Sequence, residues 1–345
     1  MSTERTFSKK EQKKQKKILK EQENRLKKSL REYFQSQTKA KDKKVDLSDR
    51  YFASLPLKFS LKGKGVIDWW RSVTELDLSN NKLRADRIPN ELEKLTSLHS
   101  LQLHHNLLSE FPMVIIKLIN LRFLGLSHNQ IETIPREISH LNKLYGLSFS
   151  HNRIREFGSL CQSPNQNTKV NNKDSKKKKK KIYSSLRWLS LDHNKIMQIP
   201  AEIKNLYILE SLLLRHNMIR VVPPEIGSLK ALRELYLSKN NITTIPPQIS
   251  QLSSLQVVDL SNNQISSLPK EMDSLNLDFF GIARCFLKVR PKKLSALCVV
   301  DDGNPYLKEP NQKKSKTQNK GGINTTKNKN DKTEQNIKEI EKDEN

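Results

Sequence analysis

Leu121-x-x-Leu124-x-Leu126-x-x-Asn129-x-Ile131-x-x-Ile134-Pro135-x-x-Ile138-x-x-Leu141 is one complete unit of a pattern that Leu144 opens again 23 residues later. Self-similarity at such a period is the mark of a chain built from stacked coils. Leu124 and Leu126 are two apart and share one face of a short strand, while Gly125 between them points the other way. Asn129 follows where the chain turns off the strand. Ile131, Ile134, Ile138 and Leu141 then bring it back along the core. Pro135 has no backbone N–H, so the return limb at that point is not part of a ladder. One such coil cannot cover its own apolar side; stacked copies can, with parallel strands forming one wall.

The copies are easily followed outward from this unit. Eight open at Val73, Leu98, Leu121, Leu144, Leu186, Leu209, Leu232 and Leu255, with turn asparagines Asn81, Asn106, Asn129, Asn152, Asn194, Asn217, Asn240 and Asn263. A ninth opens at Leu277 and carries Phe280, Ile282 and Leu287, with Cys285 in the asparagine slot. The pattern resembles the leucine-rich repeat family over residues 45–300. The resemblance implies an α/β solenoid, a horseshoe of about nine repeats. Short parallel strands line its concave face, and irregular or 3₁₀ turns its convex face. The 23-residue form with Ile-Pro on the return limb is similar to the intracellular Ras-group repeats. That likeness implies a signalling scaffold touching a small GTPase or a phosphatase.

The charge is distributed unevenly. The chain of 345 residues has 63 Lys and Arg against 37 Asp and Glu, a net +26. Residues 1–44 contribute +10, residues 158–185 +7 and residues 306–345 +3, so the repeat array itself is only mildly basic. The three cysteines, Cys161, Cys285 and Cys298, make a poor disulfide framework. Met1 to Gln15 has no apolar core of a secretory signal, and no stretch reaches the roughly 18 apolar residues that cross a bilayer. A reducing, cytoplasmic setting is expected, with the nucleus as the alternative.

Residues 1–44 form a lysine-rich arm, helical over 9–34 by the spacing of Leu19, Leu26, Leu30 and Tyr33. It reads either as a solubilising tail or as a basic arm for nucleic acid, anionic lipid or a partner helix. Residues 45–72 read as an N-terminal cap. Val45 and Leu47 echo the repeat, and Trp69 and Trp70 supply bulk to cover the end of the stack. The fourth repeat is 19 residues too long. The excess lies within residues 158–185, which are expected to loop out from the return limb without structure. Its run of Lys176, Lys177, Lys178, Lys179, Lys180 and Lys181 reads as a nuclear-import or nucleic-acid patch, or as a plain disordered insertion. The solenoid is expected to close by residue 300, and residues 301–345 to form a cap end and a disordered tail.

No Gly-rich phosphate loop, Cys-x-x-Cys, His-Glu-x-x-His or Gly-x-Ser-x-Gly occurs, and Asp301-Asp302 is a lone acidic pair without an acid/base partner, so no enzyme activity and no cofactor are expected. His105, His128, His151, His193 and His216 each precede a turn asparagine and should stack on the rim near one strand spacing, about 4.8 Å. A metal ladder is conceivable there, but no Cys or carboxylate completes a ligand set. The third, fifth and seventh slots of each repeat point out from the concave wall, and there Phe123, Trp188, Asp192, Leu213, Arg215 and Tyr236 stand among Gly and Ser. Exposed aromatics with no core to serve point to a protein partner on that wall, bound by a monomer. The alternative use is a nuclear or ribonucleoprotein adaptor with its basic segments on RNA.

Overall fold

A computed structural model describes residues 43–55, 66–162 and 185–287. Ten strands form one parallel sheet in sequential order. They are β1 (Lys44–Asp46), β2 (Glu75–Asp77), β3 (Ser100–Gln102), β4 (Phe123–Gly125), β5 (Gly146–Ser148), β6 (Trp188–Ser190), β7 (Ser211–Leu213), β8 (Glu234–Tyr236), β9 (Val257–Asp259) and β10 (Phe279–Gly281). Nine belong to the nine repeats. The tenth, β1, comes from the Val45-x-Leu47 stretch and pairs with β2 in the same register as every other neighbour. That register places Val45, Leu76, Leu101, Leu124 and Leu147 in one row beneath the wall, continued by Leu189, Leu212, Leu235, Val258 and Phe280. All ten are buried. The single period puts each apolar side chain directly over its equivalent, so the core runs the length of the stack.

The turn asparagines join adjacent coils. The Asn152 amide donates to the carbonyls of Leu126, Phe149 and Ser150 at 2.9–3.1 Å, and its oxygen accepts from the Ile131 N–H at 2.9 Å. Asn194 repeats the set on Phe149, Leu191, Asp192 and Ile154. A buried polar chain leaving the sheet is thereby fully satisfied. In the ninth repeat the Cys285 S–H makes the equivalent bond to the Leu260 carbonyl, at 3.3 Å.

On the far side, seven 3₁₀ turns each start directly after a proline, for example Arg136–His140 after Pro135 and Ala201–Asn205 after Pro200. The proline ring holds φ near −70° in the extended residue ahead of the turn, and its carbonyl accepts the first bond of that turn, from the Ile138 and Ile203 N–H groups in these two cases. The first repeat, two residues longer than the 23-residue period, fits the extra chain into an additional 3₁₀ turn, Ala85–Arg87. Helix α1 (Val66–Ser72) brings Trp70 fully into the core ahead of β2, and Trp69 packs against it.

The long fourth repeat departs from expectation at its start. Gly158–Cys161 is a short helix, α2, with Leu160 and Cys161 fully buried. The Asn205 amide of the next coil donates to the Cys161 carbonyl at 2.9 Å. Residues 158–162 therefore belong to the stack, because Leu160 fills the position that an isoleucine of the 3₁₀ turn fills elsewhere. The rest of that segment, with Lys176–Lys181, lies outside the described residues, as do the helix expected over 9–34 and everything after residue 287.

Candidate functional site

The outward face of the sheet holds a cavity of about 760 Å³, lined at its centre by Phe123, Tyr145, Gly146, Arg187 and Trp188. Two glycines make the room. A Cβ at Gly146 would sit 2.9 Å from the Phe123 ring and 3.5 Å from the Trp188 ring, so both aromatics lean over that residue. A Cβ at Gly125 would meet the Gln102 amide, which occupies the gap. Phe123 remains 46% exposed and Tyr145, tilted against it at 5.5 Å, 42% exposed. The Arg187 guanidinium stands 6.0 Å from the Tyr145 ring and is ion-paired with Glu210. Phe123 and Trp188 thus partly fill the gap over Gly146, yet leave an open aromatic surface.

The other expected residues form a second group. The Arg215 guanidinium lies over the Tyr236 ring at 4.0 Å, and an Asp192 carboxylate oxygen accepts from the Arg215 N–H at 2.6 Å. Tyr236 is only 6% exposed, contrary to the exposure read from its slot. The arginine above it removes the ring from water, and burial, with Glu234 next in effect, pushes its phenol up to about 12. Leu213 is half-buried between Ser190 and Tyr236 in the register. Along the floor the hydroxyls of Ser127, Ser148, Ser150 and Ser190 form a buried chain, with Ser127–Ser148 at 2.6 Å and Ser150–Ser190 at 2.5 Å. Outward-pointing serines are therefore not solvent-facing here: taller neighbours cover them.

Tyr145, Arg187 and Glu210 come from a slot that slot parity passes over, the residue just before each strand. No pattern in the sequence marks that slot; what distinguishes it is a doubled contact at strand entry. The N–H groups of both Tyr145 and Gly146 donate to the Arg122 carbonyl, which turns the Tyr145 slot onto the rim of the groove.

The histidine row is stacked more tightly than strand spacing. Ring centroids from His105 through His128, His151, His193 and His216 are 4.0, 4.0, 4.0 and 3.8 Å apart, nearly parallel. All five residues have φ of 51–52°, and Asn80, Lys239, Asn262 and Arg284 share the conformation in the same slot. The slot therefore demands left-handed backbone, which Asn and His tolerate better than most residues. Burial, followed by repulsion from neighbouring imidazoles, lowers His128 to about 4; burial with His151, His216, Lys239 and Arg215 does the same to His193. Parallel rings direct their lone pairs side by side, so the row offers no converging ligand set. Among the described residues no group of three His, Cys, Asp or Glu is placed to hold a metal. Nor, among them, is any helix long and apolar enough to cross a membrane.

Family models for leucine-rich repeats match residues 72–95, 96–154, 184–242 and 230–277. Among solved structures, a leucine-rich repeat protein of Leptospira interrogans is 33% identical with a TM-score of 0.60, over 73% of this chain and 57% of that one. TLR13, solved as a complex with ssRNA13, matches at 24% identity and a TM-score of 0.53, over 70% of this chain and 34% of the receptor, a likeness of fold. This chain thus spans little more than half the length of the first of these and about a third of the second. No curated protein matches it.

Proposed function

Because the chain belongs to the leucine-rich repeat proteins, whose domains generally mediate protein–protein contacts and typically catalyse nothing, we propose that it is a scaffold holding a protein partner on its concave face. The observation that carries the reading is the exposed pair Phe123 and Tyr145 beside Trp188, standing over Gly146 on a wall that needs no further core. Aromatic groups rimmed by arginine are the side chains that dominate binding energy at protein interfaces. The Ile-Pro return limbs and the 23-residue spacing support placing it with intracellular Ras-group scaffolds, working as a monomer in small-GTPase or phosphatase signalling.

Site-specific crosslinking tests this. A photoreactive phenylalanine analogue placed at Phe123 should give a discrete protein adduct in cells, and the same group at exposed Lys270 on the convex side should not. Equal yields from both faces, or none from Phe123, would remove the proposal. An adduct destroyed by ribonuclease would assign the face to RNA instead.

A further inference from the structure

The slot before each strand makes a column of its own. Arg122, Tyr145, Arg187, Glu210 and Arg233 occupy it in five successive coils, each N–H donating to the carbonyl before it at 2.7–2.9 Å. Glu210 neutralises Arg187. The neighbouring carboxylate, Glu234, accepts from the Ser211 hydroxyl at 2.8 Å. Arg122 and Arg233 stand exposed as the outer two of these five, with His99 and Gln256 next to them along the slot, and among the described residues have no ion pair. Between them lies the aromatic surface of Tyr145 and Phe123.

Two constraints define what fits. First, every strand from β2 to β9 is paired on both sides, so the groove has no free backbone edge to which a peptide could add as a strand. Recognition must go through side chains. Second, between the two exposed arginines the column is aromatic at Tyr145 and net neutral at the Arg187–Glu210 ion pair, so the unpaired charge on either side of it is cationic. A polyproline-type segment meets the first constraint, since it needs no backbone partner and docks on aromatic grooves at low entropic cost. Carboxylates at its ends meet the second. Four coil steps of about 4.8 Å separate Arg122 from Arg233, roughly 19 Å. At about 3.1 Å per residue this is a separation of about six residues.

We propose that this column is a docking ridge for an extended, proline-centred peptide segment carrying two carboxylates about six residues apart. The inference rests on the reading of the concave face as a protein-binding surface and adds the chemistry of the partner. The probe is a fluorescent nonapeptide with a central Pro-Pro pair and aspartates at its second and eighth places. Its controls carry asparagines instead, or both aspartates side by side. Anisotropy is read with the full chain at about 0.15 M salt, against an Arg122→Gln/Arg233→Gln variant. That variant keeps all the lysine-rich segments, so any difference reports the ridge alone. Both arginines are exposed, and an unchanged circular dichroism spectrum would show that the variant is folded. The spaced probe should bind the wild type about tenfold more tightly than either control, and the double variant should erase that preference. Equal affinity for the two aspartate spacings, or for wild type and variant, overturns the ridge. The Phe123 crosslink reads the wider face and would stand or fall separately.

Discussion

Mild acid should destabilise this protein through its histidine row. Four stacking contacts at 3.8–4.0 Å hold five imidazoles together, and the charged groups around them, Arg215 and Lys239 at one end, are also cationic. The Asp192 carboxylate, in the same coil as His193, accepts from the Arg215 backbone N–H. His128 and His193 are lowered to about 4, and His151 and His216 are lowered too, with burial the leading cause in each. The unfolded chain, titrating near 6.5, therefore binds more protons than the folded one. The stability is complete above pH 6.5, erodes as the pH falls from there, and is gone below about 4. For half-buried His128 the loss between pH 7 and 5 is ~2 kcal/mol. More exposed His193 contributes roughly half as much after solvent screening. Together these two should cost the fold about 3 kcal/mol at pH 5, a fall of roughly 6–12 °C in Tm for an array of this size, and His151 and His216 act in the same direction. Carboxylates stay ionised down to pH 5, so the window belongs to histidine. The assay is thermal unfolding at pH 7, 6 and 5, with a variant bearing asparagine at all five positions. Asparagine already occupies the slot at Asn80 and Asn262 with φ of 53° and 56°, so it should fold and lose the acid slope. A wild type with flat stability from pH 7 to 5, or an asparagine variant with the same slope, would refute the reasoning. So would a ring titration of His128 near 6.5 by NMR.

Other perturbations follow from single contacts. Asn194→Ala strips partners from the Ile154 N–H and the Phe149 carbonyl inside the stack, and should cost about 2–5 kcal/mol in denaturant unfolding; a loss under 1 kcal/mol would contradict the ladder's role. Gly146→Ala places a methyl against the Phe123 ring and should reduce the Phe123 crosslink while leaving Tm within about 2 °C, because the ring can swing outward. Replacing residues 163–184 with a three-residue linker restores the 23-residue spacing between Leu144 and Leu186 and should leave the circular dichroism spectrum unchanged; a collapsed spectrum would mean the segment is structural. Cys161 and Cys285 are buried and their thiols are pushed up by that burial, so neither should be alkylated in the native protein at pH 8.

Legibility in the sequence followed the physical repeat. Leu124, Leu147 and Leu189 meet the same neighbours in every coil, so one reading of the slot holds for all. The asparagines behave likewise, down to Cys285 bonding the Leu260 carbonyl in their place. The start of the insertion was misplaced because Leu160 reaches its core position from a helix of different form, which spacing alone does not register. The left-handed slot left a trace in its occupants, Asn80, His105, His128, Lys239 and Asn262. Polarity explained that list as well as φ did, until the backbone separated them.

On the concave wall the repeat stops deciding. A residue there touches the corresponding residue of the next coil, and that neighbour is free to be anything. Tyr236 is hidden because Arg215 happens to precede it; Phe123 is tilted because Gly146 happens to follow it. Exposure along the wall is a property of pairs one repeat apart, not of slots. The same rule explains why binding chemistry collects around Gly146, a small residue beside Phe123 and Trp188: there the large neighbours cover the gap only in part. If that is right, Gly146→Trp should close the cavity by extending the aromatic run across it, abolishing the Phe123 crosslink with Tm retained. A retained crosslink would show that the partner uses some other part of the wall.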